Sequence, residues 1–129
     1  MTTRVLIVDD QSLVRAGFRM ILESEPEIEV VGEAADGLTA VLAARETEPD
    51  VILMDVRMPN VDGLEATRRL RSAMKLGTGR PWIIALTANA MQGDRELCLS
   101  AGMDDYIRKP IKLSELATAL RQARSIAAA

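Results

Sequence analysis

Three stretches of the chain are apolar without interruption and run straight into an acid or a hydroxyl. Val5-Leu6-Ile7-Val8 meets Asp9-Asp10, Val51-Ile52-Leu53-Met54 meets Asp55, and Trp82-Ile83-Ile84-Ala85-Leu86 meets Thr87. A short apolar run bounded by turn residues predicts a strand covered on both faces, as in the middle of a parallel sheet. Ile28 to Glu33 and Asp105 to Arg108 are less uniform and predict two further strands.

Between the strands the apolar period lengthens to that of a helix. Val14, Phe18, Ile21 and Leu22 recur at helical spacing, with Ser12 as the expected N-cap and Glu25-Pro26 as the stop. Asp36-Gly37 opens a second helix, whose Leu38, Val41 and Leu42 share a face. A third carries Leu64, Leu70 and Met74 on one stripe, with Arg68, Arg69 and Arg71 away from it. The fourth, from about Met91 to Ala101, has a thin apolar face of Leu97, Cys98 and Ala101, with Gly102 as its C-cap. Leu113, Leu116, Leu120 and Ala123 are in register on the fifth. Five strands alternating with five helices predict a doubly wound five-stranded parallel α/β sheet with helices on both faces. Residues 1–129 read as one domain, since no linker or repeat divides them.

Composition narrows the chemistry. With no His among 129 residues, imidazole catalysis and His-ligated metals are excluded. The single Cys98 cannot form an internal disulfide and reads as a small helix residue; with no apolar run long enough for a membrane span, a cytoplasmic protein without membrane contact is expected. Nineteen acids against 16 bases give a net charge of -3, and Phe18, Trp82 and Tyr106 are the only aromatics. Neither a basic field nor a stacking platform for nucleic acid is present, so this chain alone is expected not to bind DNA.

In a parallel sheet the strand carboxyl ends open into one crevice. Asp9, Asp10, Asp55, Thr87 and Lys109 all stand at such ends. Each has an ordinary alternative: a turn carboxylate, a strand-end hydroxyl, a solvated lysine. Their joint occurrence points to chemistry. Three clustered carboxylates repel one another unless a hard divalent ion such as Mg²⁺ or Mn²⁺ neutralises them, and a lysine and a hydroxyl beside the ion suit a phosphoryl group.

Asp9-Asp10, Leu53-Met54-Asp55-Val56-Arg57-Met58-Pro59 with Asp62-Gly63, Ala85-Leu86-Thr87-Ala88, and Tyr106-Ile107-Arg108-Lys109-Pro110 together resemble the receiver domain of two-component response regulators. The resemblance implies a flavodoxin-like (βα)5 fold. It implies that Asp55 accepts a phosphoryl group from a histidine kinase or phosphotransfer protein. Mg²⁺ would be held by Asp10, Asp55 and the backbone carbonyl of Arg57, with Asp9 acting through water. Lys109 would pair with the phosphoryl oxygens and Thr87 would hydrogen-bond them, with the Tyr106 rotamer following Thr87. Ala88 would leave an approach path, the Lys109-Pro110 bond would be cis, and Arg57 and Asn89 would tune phosphoryl lifetime. The face of the fourth helix, fifth strand and fifth helix would meet a partner or a second copy. The family is not enzymatic in the ordinary sense: the domain catalyses its own phosphorylation and dephosphorylation.

The first half of the chain resembles receivers that precede a helix-turn-helix, and the second half, from Ile83, receivers of hybrid histidine kinases. A recombined or engineered receiver would show that mixture, with packing faults between the third and fourth strands. Two other functions compete with this one. A Mg²⁺-dependent aspartyl-phosphate phosphatase or phosphotransferase of the haloacid dehalogenase kind would place an acid where Arg57 stands, and would carry a cap domain. A flavin-binding module would need a hydroxyl- and Gly-rich loop where Asp9-Asp10 stands.

Overall fold

A computed structural model describes residues 2–58, 61–73, 81–87, 92–109 and 112–128. The elements are β1 (Thr3–Val8), α1 (Ser12–Glu23), β2 (Ile28–Ala34), α2 (Gly37–Thr47), β3 (Val51–Asp55), α3 (Gly63–Ala73), β4 (Trp82–Thr87), α4 (Gln92–Ala101), β5 (Asp105–Arg108) and α5 (Leu113–Ala128). All five strands are parallel, in the order β2-β1-β3-β4-β5. The chain moves outward from β1 to β2, then crosses back to β3 on the other side of β1. That reversal parts the loops after β1 and β3 and leaves a crevice between them.

The aliphatic runs form the three central strands because both of their faces are covered. On one face Leu6, Val8, Ile52, Met54, Ile83 and Ala85 pack under α2, α3 and α4; on the other Val5, Ile7, Val51, Leu53, Ile84 and Leu86 pack under α1 and α5. Alternate residues therefore serve different cores, each large side chain contributing about 1.5–3 kcal/mol by leaving water. Pairing from Val51–Trp82 to Asp55–Leu86 is unbroken, and Val51 to Met54 and Ile83 to Leu86 are buried along it. At the β4 entrance, the buried indole Nε1 of Trp82 has no hydrogen-bond partner among the described residues.

The helices depart from expectation in their rotation. Gln11, not Ser12, occupies the N-cap of α1, and no side chain caps it. In α2 the buried stripe is Gly37, Ala40 and Ala44, while Leu38 and Leu42 are 49% and 60% exposed. Small residues let α2 lie close to the sheet, and its start is fixed by Asp36, whose carboxylate accepts the Thr39 N–H at 2.8 Å, and by Gly37 N–H on the Val61 carbonyl at 3.0 Å. In α3 Leu70 is buried as expected, but Arg71 turns inward. Its guanidinium donates to the carbonyls of Gly102 (2.9 Å) and Pro81 (2.8 Å) and to Asp104 (2.6 Å), tying α3 to the ends of α4 and β4. In α4 Cys98 and Ala101 are buried but Leu97 is exposed; Gly102, at φ 109°, ends the helix in the left-handed region as predicted. Leu116, Leu120 and Ala123 anchor α5. Met74, Met91 and the side chain of Leu113 lie outside the described residues.

Candidate functional site

The acids after β1 diverge. Asp9 is fully buried, its Oδ1 accepting the Gln11 N–H at 2.9 Å and its Oδ2 the Lys109 ammonium at 3.1 Å. Asp10, the next residue, is exposed. Asp55 ends β3 at 5% exposure, and its Oδ1 also accepts from Lys109, at 3.3 Å. One carboxylate oxygen from each of Asp9, Asp10 and Asp55 lies within 4.8 Å of the others. Thr87, buried at the end of β4, lines the same cleft of about 180 Å³ with Asp10, Gln11, Asp55, Val56, Arg57, Leu86 and Lys109. The Thr87 carbonyl accepts the Lys109 N–H at 2.7 Å, which fixes where β5 delivers its lysine.

Charge is unbalanced here. Burial, then the neighbouring Asp9 carboxylate, pushes the Asp55 pKa up to about 6, against the pull of Lys109 and the Arg57 backbone N–H. Burial works against the Lys109 ammonium too, but Asp9 and Asp55 outweigh it and raise its pKa. Among the described residues, the Lys109 ammonium bonds two of these carboxylates, Asp9 and Asp55. Clustered, partly buried oxygen ligands with excess negative charge fit a hard divalent cation, and Asp9, Asp10 and Asp55 are the side chains able to hold one.

The backbone around Asp55 is closely packed. Gly63 opens α3 against the Asp55 carbonyl, so close that a Cβ at this position would overlap it, and its N–H bonds the Val56 carbonyl at 3.0 Å. Asp62 caps α3 by accepting the Glu65 N–H at 2.9 Å. Arg57 is exposed at the cleft mouth. Tyr106 on β5 pairs with Ala85 and is half-buried, with the Arg95 guanidinium 5.4 Å from its ring centre. Ala88, Asn89, Pro59 and Pro110, and with Pro110 the expected cis bond, lie outside the described residues.

Sequence reading missed one group at this end of the sheet. Arg15 of α1 donates to the Asp9 carbonyl at 2.6 Å and to Glu33 of β2 at 3.0 Å, and Arg19 donates to Glu33 at 2.6 Å. Burial favours the protonated acid, yet Arg19 and then Arg15 hold the Glu33 carboxyl below its ordinary range. Two arginines one turn apart on a helix beside an acidic strand end were the available signal.

A profile of the response regulator receiver domain matches residues 5–121. The chain is 42% identical over 120 residues to the transcriptional regulatory protein LiaR of Bacillus subtilis, covering 93% of this chain and 55% of that protein. It therefore spans a little over half the length of the curated relatives it matches. Among solved structures it is similar to the receiver domain of the sensor histidine kinase PA1611 of Pseudomonas aeruginosa, which carries a magnesium ion coordinated in its active-site cleft: 43% identity, TM-score 0.81, 95% of this chain and 97% of that one. It is also similar to the response regulator domain of Thermotoga maritima CheB, at 36% identity and TM-score 0.85 over 95% and 96% of the two chains. A transcriptional regulatory protein and the receiver domain of a sensor histidine kinase both match along nearly the whole chain, and a small-molecule phosphatase is not favoured. With its five-stranded parallel sheet and acids gathered at the strand ends, the chain belongs to the receiver domains of two-component response regulators.

Proposed function

We propose that residues 1–129 form a single receiver domain in which Asp55 takes a phosphoryl group from the phosphohistidine of a histidine kinase or phosphotransfer protein. The observation that carries this is the placement of Asp55 on the cleft wall, bonded to Lys109 at 3.3 Å and crowded by two further carboxylates. A carboxylate oxygen of Asp55 attacks phosphorus, the P–N bond breaks, and its electron pair returns to the partner's imidazole, leaving an acyl phosphate on this chain. Asp10, Asp55 and the Arg57 carbonyl would hold Mg²⁺ or Mn²⁺, with Asp9 acting through water; the bound ion would supply charge neutralisation for carboxylates and phosphoryl oxygens. Lys109 exchanges part of its contact with Asp55 for the phosphoryl oxygens, Thr87 donates its hydroxyl to them, and Arg57 and Asn89 tune the phosphoryl lifetime. These self-catalysed steps make the domain a switch, not an enzyme acting on a separate small substrate.

The output follows from the same contacts. Thr87 and Tyr106 lie on the sheet face covered by α4, Tyr106 pairing with the residue two before Thr87. A hydroxyl drawn to the phosphoryl group frees space for the ring and shifts α4, β5 and α5, the face on which a partner or a second copy docks. Beryllofluoride with Mg²⁺ tests this by amide chemical shifts. Changes from α4 through Arg108 are expected; changes confined to the loop around Asp55 would show binding without switching.

A further inference from the structure

The loop between β1 and α1 is short and α1 lacks a side-chain cap, so the path of Asp9, Asp10 and Gln11 rests on one bond within the loop and on contacts from outside it. The Asp9 side chain is held by the Gln11 N–H and Lys109. Its carbonyl is held by Arg15, whose Nη1 donates to it at 2.6 Å while Nε donates to Glu33 Oε1 at 3.0 Å. Glu33 is itself steadied by Arg19, at 2.6 Å on Oε2, and Arg19 continues to Glu23 at 2.9 Å. The Arg15 side chain is 19% exposed and that of Glu33 29%, so the pair is partly sheltered from solvent screening.

A peptide unit is planar, so fixing the Asp9 carbonyl fixes the plane that carries the Asp10 N–H and restricts where the Asp10 side chain leaves the chain. We propose that Arg15, oriented by Glu33, is a positioning residue that directs the Asp10 carboxylate toward the cleft and thereby sets the cation affinity of the site. The proposal rests on the receiver reading above, in which Asp10 is a cation ligand. Only a planar fork of donors spans both acceptors; a lysine ammonium reaches one or the other.

The test is Mg²⁺ titration by calorimetry on the full chain, with phosphorylation by acetyl phosphate followed across Mg²⁺ concentrations. Arg15→Ala and Arg15→Lys are expected to raise the Mg²⁺ Kd about tenfold, the low end of the cost of losing a group that orients a ligand. Saturating Mg²⁺ should return their phosphorylation rate to the wild-type value, because the acceptor and Lys109 are untouched. Arg19→Ala loosens Glu33 but leaves both Arg15 bonds in place, so it should lower stability and raise the Mg²⁺ Kd by less than the Arg15 variants do. If Arg15→Ala does not fold, Arg15→Lys carries the test. Wild-type Kd in the Arg15 variants, or an equal loss in Arg19→Ala, would overturn the positioning role while leaving the receiver reading standing. A wild-type chain that neither binds Mg²⁺ nor gains phosphoryl would overturn both.

Discussion

Asp55→Asn should make the cation-free protein more stable, although it removes a residue bonded to Lys109. The Asp55 pKa of about 6 stands against an ordinary value of 3.8, because burial and Asp9 penalise the charged form more than Lys109 rewards it. A gap of about two pH units corresponds to about 3 kcal/mol. The cleft is open to water and the amide gives up the charge-assisted Lys109 bond, so a net gain of about 1–2 kcal/mol is expected. Lys109 keeps Asp9 as its partner, at 3.1 Å, so no buried cation is orphaned. The assay is urea unfolding in EDTA. Since the folded state holds the Asp55 proton more tightly than the unfolded chain, this group stabilises the fold at acid pH, and that stability is lost as pH rises through the folded value. The advantage of Asp55→Asn should therefore be full above about pH 7 and vanish near about pH 4. Equal or lower stability of the variant in EDTA at pH 7.5 would refute the electrostatic reasoning.

Gly63→Ala places a methyl on the Asp55 carbonyl and should cost about 2 kcal/mol or more, read from the urea midpoint, with weaker Mg²⁺ binding as the β3 end shifts. Arg95→Ala removes the cation over Tyr106, a contact of about 0.5–1 kcal/mol, and should move Tyr106 ring resonances in the unphosphorylated protein toward their beryllofluoride-bound positions. DNA binding is predicted absent for this chain by itself; salt-sensitive, sequence-selective retardation in a gel shift would contradict that.

The sheet was legible because its interior strands are dry on both faces, so Val5–Val8, Val51–Met54 and Ile83–Leu86 could be aliphatic throughout and still end in the residues that meet at the cleft. Which way a helix turns its face was less legible. In α2 the leucines suggested the wrong side, since close approach to the sheet selects Ala40 and Ala44 and leaves Leu38 and Leu42 outside. Arg71 was expected to face away from the apolar stripe and Arg15 carried no expectation, yet both donate to carbonyls far away in sequence or across a turn, partners that helical periodicity does not reveal. The carboxylate cluster was readable from strand ends alone, whereas the sharing of Lys109 between Asp9 and Asp55 required the three-dimensional register.

An acyl phosphate on Asp55 is a covalent bond, and intact mass after incubation with acetyl phosphate and Mg²⁺ reads it directly. Gain of one phosphoryl mass is predicted for the wild-type chain, removed by EDTA before reaction and absent in Asp55→Asn. An equal gain in Asp55→Asn, or none in the wild type with Mg²⁺ bound, would contradict the assignment of Asp55 as the acceptor.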